Sequence, residues 1–362
     1  MRKKVLHVIN SLTPGGAETL LVNSLSQGGL QEYYDNQLAY FMGTSALQER
    51  VDKTIKVHDL AYKGYLGLAG TLRRLRQIII NEKIDIVHTH LNPAGVYTHF
   101  ICPDNVPQVH TLHTTYSMDT MTQPSKLWLE KNFYFKKKSA NLIFLSNYIK
   151  ADFFKSVPFK GNAFVLNNFV QDEFFNLNPS QFNSSAGSPF KLLAVGNLNP
   201  VKNHKYLLEI FDYLKDANIE LDIYGGGDVD AFKSVIADKG VKVAMKGFTA
   251  NLADILPQYH LFIMPSVFEG FPLSLFEAMA AGLPCMVSDI EPLKEIAGGN
   301  VVYFDLTNAA GVAGQIKILS QSAGTLGSLS IAGKKHAENI ASRSRYMMEL
   351  SGIYTKISKQ IH

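Results

Sequence analysis

Short apolar runs alternate with longer segments of helical period along the chain, and this alternation restricts the fold more than any other feature. In the first half KVLHVI (4–9), NQLAYF (36–41), DIVHTH (85–90), PQVHTL (107–112), NLIFLS (141–146) and NAFVLNN (162–168) read as strands. Segments 17–27, 68–82, 124–138 and 147–156 read as helices between them. A second series follows with FKLLAVG (190–196), IELDIYGGG (219–227), VKVAMKG (241–247), HLFIMPS (260–266), PCMVSD (284–289) and NVVYF (300–304). Such alternation builds parallel sheets covered by helices, so the fold class is α/β. The stretch NLNPSQFNSSAGSP (176–189) has no apolar period and is rich in Asn, Ser and Pro, as linkers and long loops are. A length of 362 residues suits two domains. They are expected at 1–175 and 190–341, joined by 176–189. Helical segments at 308–320 and 324–340 precede a last one in 342–362.

The segment PSVFEGFPLSLFEAMAAGLPCMVSD (265–289) carries the clearest chemistry. An apolar strand ends at Pro265, a turn follows with Gly270 and Pro272, and LSLFEAMAAG has the period of a helix stopped by Gly282. The first N–H groups of a helix lack internal partners, so a strand, turn and helix in this order make an anion site. Glu269 stands at the mouth of the turn, and Glu277 lies about one turn into the helix. Carboxylates accept paired hydrogen bonds from vicinal diols. A phosphate site flanked by two such groups suits a nucleotide sugar.

The string E-G-F-P-L-S-L-F-E, with its strand-turn-helix setting and the following AAGLPCMVSD, resembles the E-x7-E motif of retaining glycosyltransferases of the GT-B architecture, specifically the group 1 (GT4) family. The resemblance implies two Rossmann-like domains facing a central cleft, with the last helix packing back on the N-terminal domain. It implies that Glu277 holds the ribose and Glu269 holds hydroxyls of the transferred sugar. Gly270, Phe271, Leu273, Ser274 and Leu275 would line the diphosphate. VGNLNPVKNH (195–204) resembles the family segment G-R-L-x-x-x-K-N, so Lys202 matches the lysine that reaches the diphosphate. The family's arginine is missing, and Asn197 stands in its place. PGGAE (14–18), with Gly15 and Gly16, would line the cleft from the first domain. His113 matches a histidine beside the donor sugar and diphosphate. In KGFTANLADIL (246–256), Gly247 and Phe248 match base contacts.

Other features read more plainly. His88, His90 and His110 lie on or beside strands, where most histidines are packing residues; His90, at a carboxyl end, is the best functional candidate of the three. These histidines lack metal-site spacing, and Asp228 and Asp230 in YGGGDVD are read as part of a turn, so no metal is expected. The same segment does not complete G-x-G-x-x-G, because Asp230 occupies the last position. The expected reaction is metal-independent transfer of a sugar from a UDP- or GDP-linked donor to a saccharide or lipid-linked saccharide, with no cofactor. The alternatives are a GT-B sugar-nucleotide epimerase and a non-catalytic nucleotide-sugar-binding partner.

Composition bounds the setting. Cys102 and Cys285 give no disulfide or metal pattern and suit a reducing compartment. MRKKVLHVIN reads as a first buried strand, not as a leader, because its apolar run is short and interrupted by His7. No run approaches the roughly 18 apolar residues of a membrane span. Residues 1–172 hold 19 Lys and Arg against 13 Asp and Glu, a net of +6. Residues 173–362 hold 16 against 18, a net of −2. A cytoplasmic location with peripheral contact at the inner, anionic membrane face is therefore expected, and no nucleic-acid partner. Segment 124–138, with Trp128 and Lys136, Lys137 and Lys138, is either a membrane-surface helix or an ordinary helix with packed aromatics and solvated lysines.

Overall fold

The structure is a computed structural model describing residues 2–43, 46–117, 128, 130–136, 139–177, 187–249 and 251–359. Seven of the fifteen residues of the expected helix at 124–138, Lys137 and Lys138 among them, and most of the expected linker at 176–189 lie outside the described residues. Trp128 is exposed, and Glu130–Tyr134 form a π-helical turn.

The chain divides into two compact units, Met1–Asn168 with Ser344–His362, and Phe169–Arg343. The first boundary falls seven residues before the expected 175. Phe169 and Val170 are buried, and the Val170 N–H donates to the Ala341 carbonyl of the second unit at 2.8 Å.

Unit 1 runs β1 (Lys4–Ile9), α1 (Gly16–Ser24), β2 (Asp35–Tyr40), β3 (Lys56–Asp59), α2 (Leu68–Asn81), β4 (Ile86–His90), α3 (Ala94–Ile101), β5 (Gln108–Leu112), β6 (Asn141–Phe144), α4 (Asn147–Ser156) and β7 (Asn162–Val165). Its strands form one parallel sheet in the order β3-β2-β1-β4-β5-β6-β7. Successive strand residues face opposite sides. Leu6 and Val8 therefore meet Leu75 and Ile79 of α2 and Ala94 of α3 in one core. His7 points to the other side. The sequence reading missed β3, a half-exposed KVHD edge strand with no apolar run, and α3, which directly follows Pro93. In α3 a Cβ at Gly95 would meet the His110 ring 2.5 Å away, so only glycine lets this helix lie on β5.

Unit 2 runs α5 (Asp172–Phe175), β8 (Phe190–Val195), α6 (His204–Asp212), β9 (Ile219–Tyr224), α7 (Val229–Lys239), β10 (Val243–Gly247), β11 (Leu261–Met264), α8 (Leu273–Ala280), β12 (Cys285–Ser288), α9 (Glu291–Ala297), β13 (Val302–Phe304), α10 (Ala309–Ser320) and α11 (Ala323–Ala341). Its parallel sheet has the order β10-β9-β8-β11-β12-β13. β11 and β12 are buried along their whole length, as strands covered on both faces must be. One face packs Leu207 and Phe211 of α6, Phe232 of α7 and Ile316 of α10 against Leu192, Leu221 and Ile263. α8 packs on α11 and on β11 and β12. Both units are thus Rossmann-like.

The last helix, α12 (Arg343–Ser358), lies in unit 1 from Ser344 onward. Its Tyr354 is fully buried, lies edge-on to Tyr34 at 5.2 Å, and shares a 2.7 Å hydrogen bond with His88 Nδ1. The hydroxyl of Tyr34 also meets that of Ser351, at 2.7 Å. Replacing Tyr354 by Ala removes a large buried ring and is expected to cost about 3–5 kcal/mol. Tyr354→Phe removes only the hydrogen bond, about 1–2 kcal/mol. Urea unfolding of the full chain tests this, and an unchanged midpoint in Tyr354→Ala overturns the docking role of α12.

Candidate active site

In unit 2 the chain leaves β8 for β9 and β10 on one side, then returns to place β11 on the other side of β8. The connections diverge between β8 and β11, and ligands of open α/β sheets bind beyond strand carboxyl ends at such a switch point. The residues singled out in the sequence flank it. Lys202 follows β8, and Glu269 follows β11. Their side chains form an ion pair at 2.7 Å, with 23% and 8% side-chain exposure. Ser266 Oγ donates to the same Glu269 oxygen, Oε1, at 2.6 Å. Ser266 is held in turn by Ser288, whose hydroxyl donates to the Ser266 carbonyl.

The loops beyond the four neighbouring strands form one connected rim. The Val267 N–H donates to Val201 O at 2.9 Å, tying the β11 loop to the β8 loop. Leu198 N–H donates to Gly226 O at 2.7 Å, and Gly226 N–H donates to Asn197 Oδ1 at 3.0 Å. Gly225 N–H donates to Gly247 O at 2.9 Å. The approach is close enough that a Cβ on Gly225 would lie 1.9 Å from the Gly196 carbonyl oxygen. Asn197, which replaces the expected arginine, thus braces the neighbouring turn with its amide oxygen.

α8 opens beside Glu269. Pro272 precedes it, and no side chain caps it. Its first N–H groups, at Leu273, Ser274 and Leu275, and the helix dipole offer a place for negative charge. Gly270, Leu273 and Ser274 are half-buried, and Ser274 Oγ lies 3.4 Å from Val195 O. Leu275 is fully buried, and Phe271 stacks on Phe276 at 4.3 Å, so these two present only backbone. Glu277 is half-buried one turn into the helix. Beyond β10, Gly247 takes φ +80° and Phe248 is 66% exposed, a bare ring on the rim.

Sequence reasoning missed His204. Its Nε2 donates to the Gly196 carbonyl at 2.9 Å and holds the loop that leads to Lys202. Its pKa is lowered to about 4, chiefly by burial, against the raising effect of the hydrogen bond to Gly196 and with a smaller lowering from Lys202. The loop that leads from β8 into α6 brings the two together, and no motif announces it. Ser266 was legible only as part of a strand end.

Gly15, Gly16 and His113 belong to unit 1. Gly15 precedes α1, and Gly16 is its first residue. The Glu18 carboxyl lies over Gly15, its pKa raised by burial. His113 follows β5, its pKa lowered to about 3 by desolvation and then by His110. One face of this sheet also gathers His7, His88 and His90, with ring nitrogens within 4.8 Å of one another, a convergence that linear spacing concealed. Both nitrogens of His88 are hydrogen-bonded, to Tyr354 and to Thr111 at 2.7 Å each.

Comparison with known proteins agrees with this architecture. The sequence profile of the family Glycosyl transferases group 1 matches residues 178–336, and that of Glycosyltransferase Family 4 matches residues 14–174. An Escherichia coli UDP-Gal:alpha-D-GlcNAc-diphosphoundecaprenol alpha-1,3-galactosyltransferase is 29% identical over 284 residues, 73% of this chain and 69% of that protein. The Bacillus subtilis protein EpsF, a putative glycosyltransferase by name, is 31% identical over 30% of this chain and 29% of its own. Among solved structures, Anabaena HepE in complex with UDP superposes with a TM-score of 0.81 at 17% identity, covering 98% of this chain and 100% of that one. A Rickettsia africae glycosyltransferase reaches 0.80 at 18% identity, covering 98% of each chain. The fold is therefore that of the GT-B glycosyltransferases. The protein is a glycosyltransferase enzyme and belongs to group 1.

The buried histidines make stability depend on pH. His7 and His204 have pKa values lowered to about 4 and His113 to about 3, while His88 and His90 lie well below the usual value, all chiefly through burial. The unfolded chain binds these protons near pH 6.5, so stability is complete above that pH and falls as pH drops toward about 4. Each such histidine contributes a slope of about 1.4 kcal/mol per pH unit within its window. Denaturation midpoints measured from pH 7.5 to 4.5 should fall steeply, and a flat profile contradicts the neutral, buried state.

Proposed function

We propose that the protein is a retaining, metal-independent glycosyltransferase that moves a sugar from a nucleotide-sugar donor to a lipid-linked saccharide. The observation that carries this reading is the meeting of Lys202 and Glu269 at the switch point of unit 2, beside the uncapped start of α8. The diphosphate sits on the first N–H groups of α8 with Lys202 as its cation. The helix dipole and the ammonium stabilise charge as the nucleoside diphosphate leaves. Glu277 takes the ribose hydroxyls, and Glu269, whose Oε1 already receives two donors, takes hydroxyls of the transferred sugar. Phe248 offers its exposed ring to the base. Retention follows from the resemblance of the E-x7-E segment. The name of the Escherichia coli relative supports a UDP-linked donor and a lipid-diphosphate acceptor.

No helix among the described residues is long and apolar enough to cross a membrane. A lipid-linked acceptor then requires peripheral contact with an anionic cytoplasmic leaflet. Lys136 is exposed, as are Arg73, Arg74 and Arg76 on α2, a helix without an acidic residue. Each cation near such a surface contributes about 1 kcal/mol, and salt weakens the attraction.

Glu269→Ala should abolish transfer while UDP still binds, because only the sugar loses its partner. Glu277→Ala should weaken UDP itself by roughly ten- to a hundred-fold, the cost of a lost charged hydrogen bond. Calorimetry with UDP and turnover with a panel of UDP- and GDP-sugars separate the two; identical behaviour of the variants contradicts the assignment. Turnover should persist in EDTA, and loss reversed by Mg²⁺ or Mn²⁺ contradicts metal independence. An isomerised donor would indicate an epimerase, and binding without turnover a non-catalytic partner.

A further inference from the structure

Unit 1 has its own switch point, between β1 and β4, and His90 is the last residue of β4 there. A chain of hydrogen bonds fixes which of its nitrogens carries the proton. Asn36 Nδ2 donates to the Tyr34 carbonyl at 3.2 Å, which turns Asn36 Oδ1 toward His7 Nε2, also at 3.2 Å. An amide oxygen only accepts, so His7 Nε2 carries a hydrogen. A neutral imidazole has one hydrogen, so His7 Nδ1 is bare. His90 Nε2 lies 3.5 Å from that lone pair, a long contact in which it must be the donor. His90 Nδ1 is then a bare acceptor. His90 is only 2% exposed, and its Nδ1 is buried with no partner among the described residues.

A buried polar atom without a partner calls for one. The neighbouring ring adds a second. His113 Nε2 is also buried without a partner among the described residues, and the His113 and His90 ring centres lie 5.8 Å apart. An alcohol donates one hydrogen bond and accepts others, so a hydroxyl that donates to His90 Nδ1 can also accept from His113 Nε2 where that atom carries the hydrogen. A phosphate oxygen without a proton has nothing to give a bare nitrogen. The bare His90 Nδ1 therefore selects a hydroxyl over an unprotonated anion. Burial keeps the relay neutral, as the depressed pKa values of His7, His90 and His113 agree.

We propose that His90 Nδ1, presented as a bare acceptor by the Asn36–His7 relay, binds a hydroxyl of the saccharide substrate, with His113 Nε2 as the second contact. The proposal rests on the glycosyl-transfer reading and adds to it a hydroxyl subsite in unit 1. In the sequence His90 stood out only as the best functional candidate among three strand histidines, and neither His7 nor Asn36 stood out at all.

Two measurements test it. Two-bond proton–nitrogen correlation on the histidine-labelled full chain, between pH 6.5 and 8, should find His90 with hydrogen on Nε2 and a bare Nδ1. The Asn36→Leu variant should shift His90 toward a mixture of tautomers. A hydrogen on Nδ1 in the native protein overturns the proposal, whatever the enzyme does with nucleotide sugars. In turnover assays with UDP-galactose and a short-chain N-acetylglucosaminyl lipid diphosphate, His90→Phe should lose about ten- to a hundred-fold in acceptor kcat/KM. His90→Asn, whose Oδ1 takes the place of Nδ1, should recover much of this. UDP affinity should stay within about twofold in both variants, since the charged groups of unit 2 are untouched. Native acceptor kinetics in His90→Phe overturns the subsite. Absence of any nucleotide-sugar binding by the native protein counts instead against the transferase reading, and the tautomer then decides the relay alone.

Discussion

The site in unit 2 depends on one ion pair. Lys202 and Glu269 are 67 residues apart in sequence and meet at 2.7 Å because β8 and β11 are neighbours. Taking either charge out of water alone costs several kcal/mol. Together, with Ser266 as a further donor, they are tolerated in a place where Glu269 is only 7% exposed. The backbone link from Val267 to Val201 keeps the two loops in step, so the charges do not have to find each other by side-chain flexibility. This pre-positions a cation beside the uncapped start of α8, where, in the proposed reading, an incoming diphosphate would take over part of the compensation that Glu269 supplies.

Unit 1 applies the same strand arithmetic with neutral groups. His7 pairs with His88 across β1 and β4, and His90 lies two residues further on the same face. No carboxylate is paired with these rings among the described residues, and burial holds them uncharged. What such a cluster offers is direction, since each ring presents one donor and one acceptor. The chemistry of the two switch points therefore differs in kind. One gathers opposite charges, and the other gathers neutral donors and acceptors.

The sequence made most of this architecture legible, for physical reasons. Strands that are largely buried are mostly apolar, so β1, β8 and β11 were readable, whereas β3, a half-exposed edge strand, was not. The strand-turn-helix setting of Glu269 and Glu277 was readable from local spacing, and Lys202 was singled out by the resemblance of 195–204. Ser266, His204 and the Asn36–His7–His90 relay were not. Ser266 and His204 bond to Glu269 and Gly196 within their own loop segments, through local geometry that no motif marks, while the members of the relay lie on different strands, which only sheet register brings together. The seven-residue shift of the unit boundary has the same origin, because Val170 belongs to unit 2 through a bond to Ala341 far along the chain.

Asn197 bears most directly on how the site handles charge. An arginine has no acceptor, so it cannot take the Gly226 N–H as Asn197 Oδ1 does at 3.0 Å. The asparagine thus exchanges a cation for a brace between the loops of β8 and β9. Gly225 lies so close to Gly196 that these loops have little room to adjust, and a fixed hydrogen bond suits that contact. The consequence is electrostatic. In the proposed reading, with one positive charge fewer beside the diphosphate, stabilisation of the leaving group would fall more heavily on Lys202 and on the N–H groups at the start of α8. Any residue that fixes the loop carrying Lys202, His204 through Gly196 first among them, then matters more here than where an arginine shares the load.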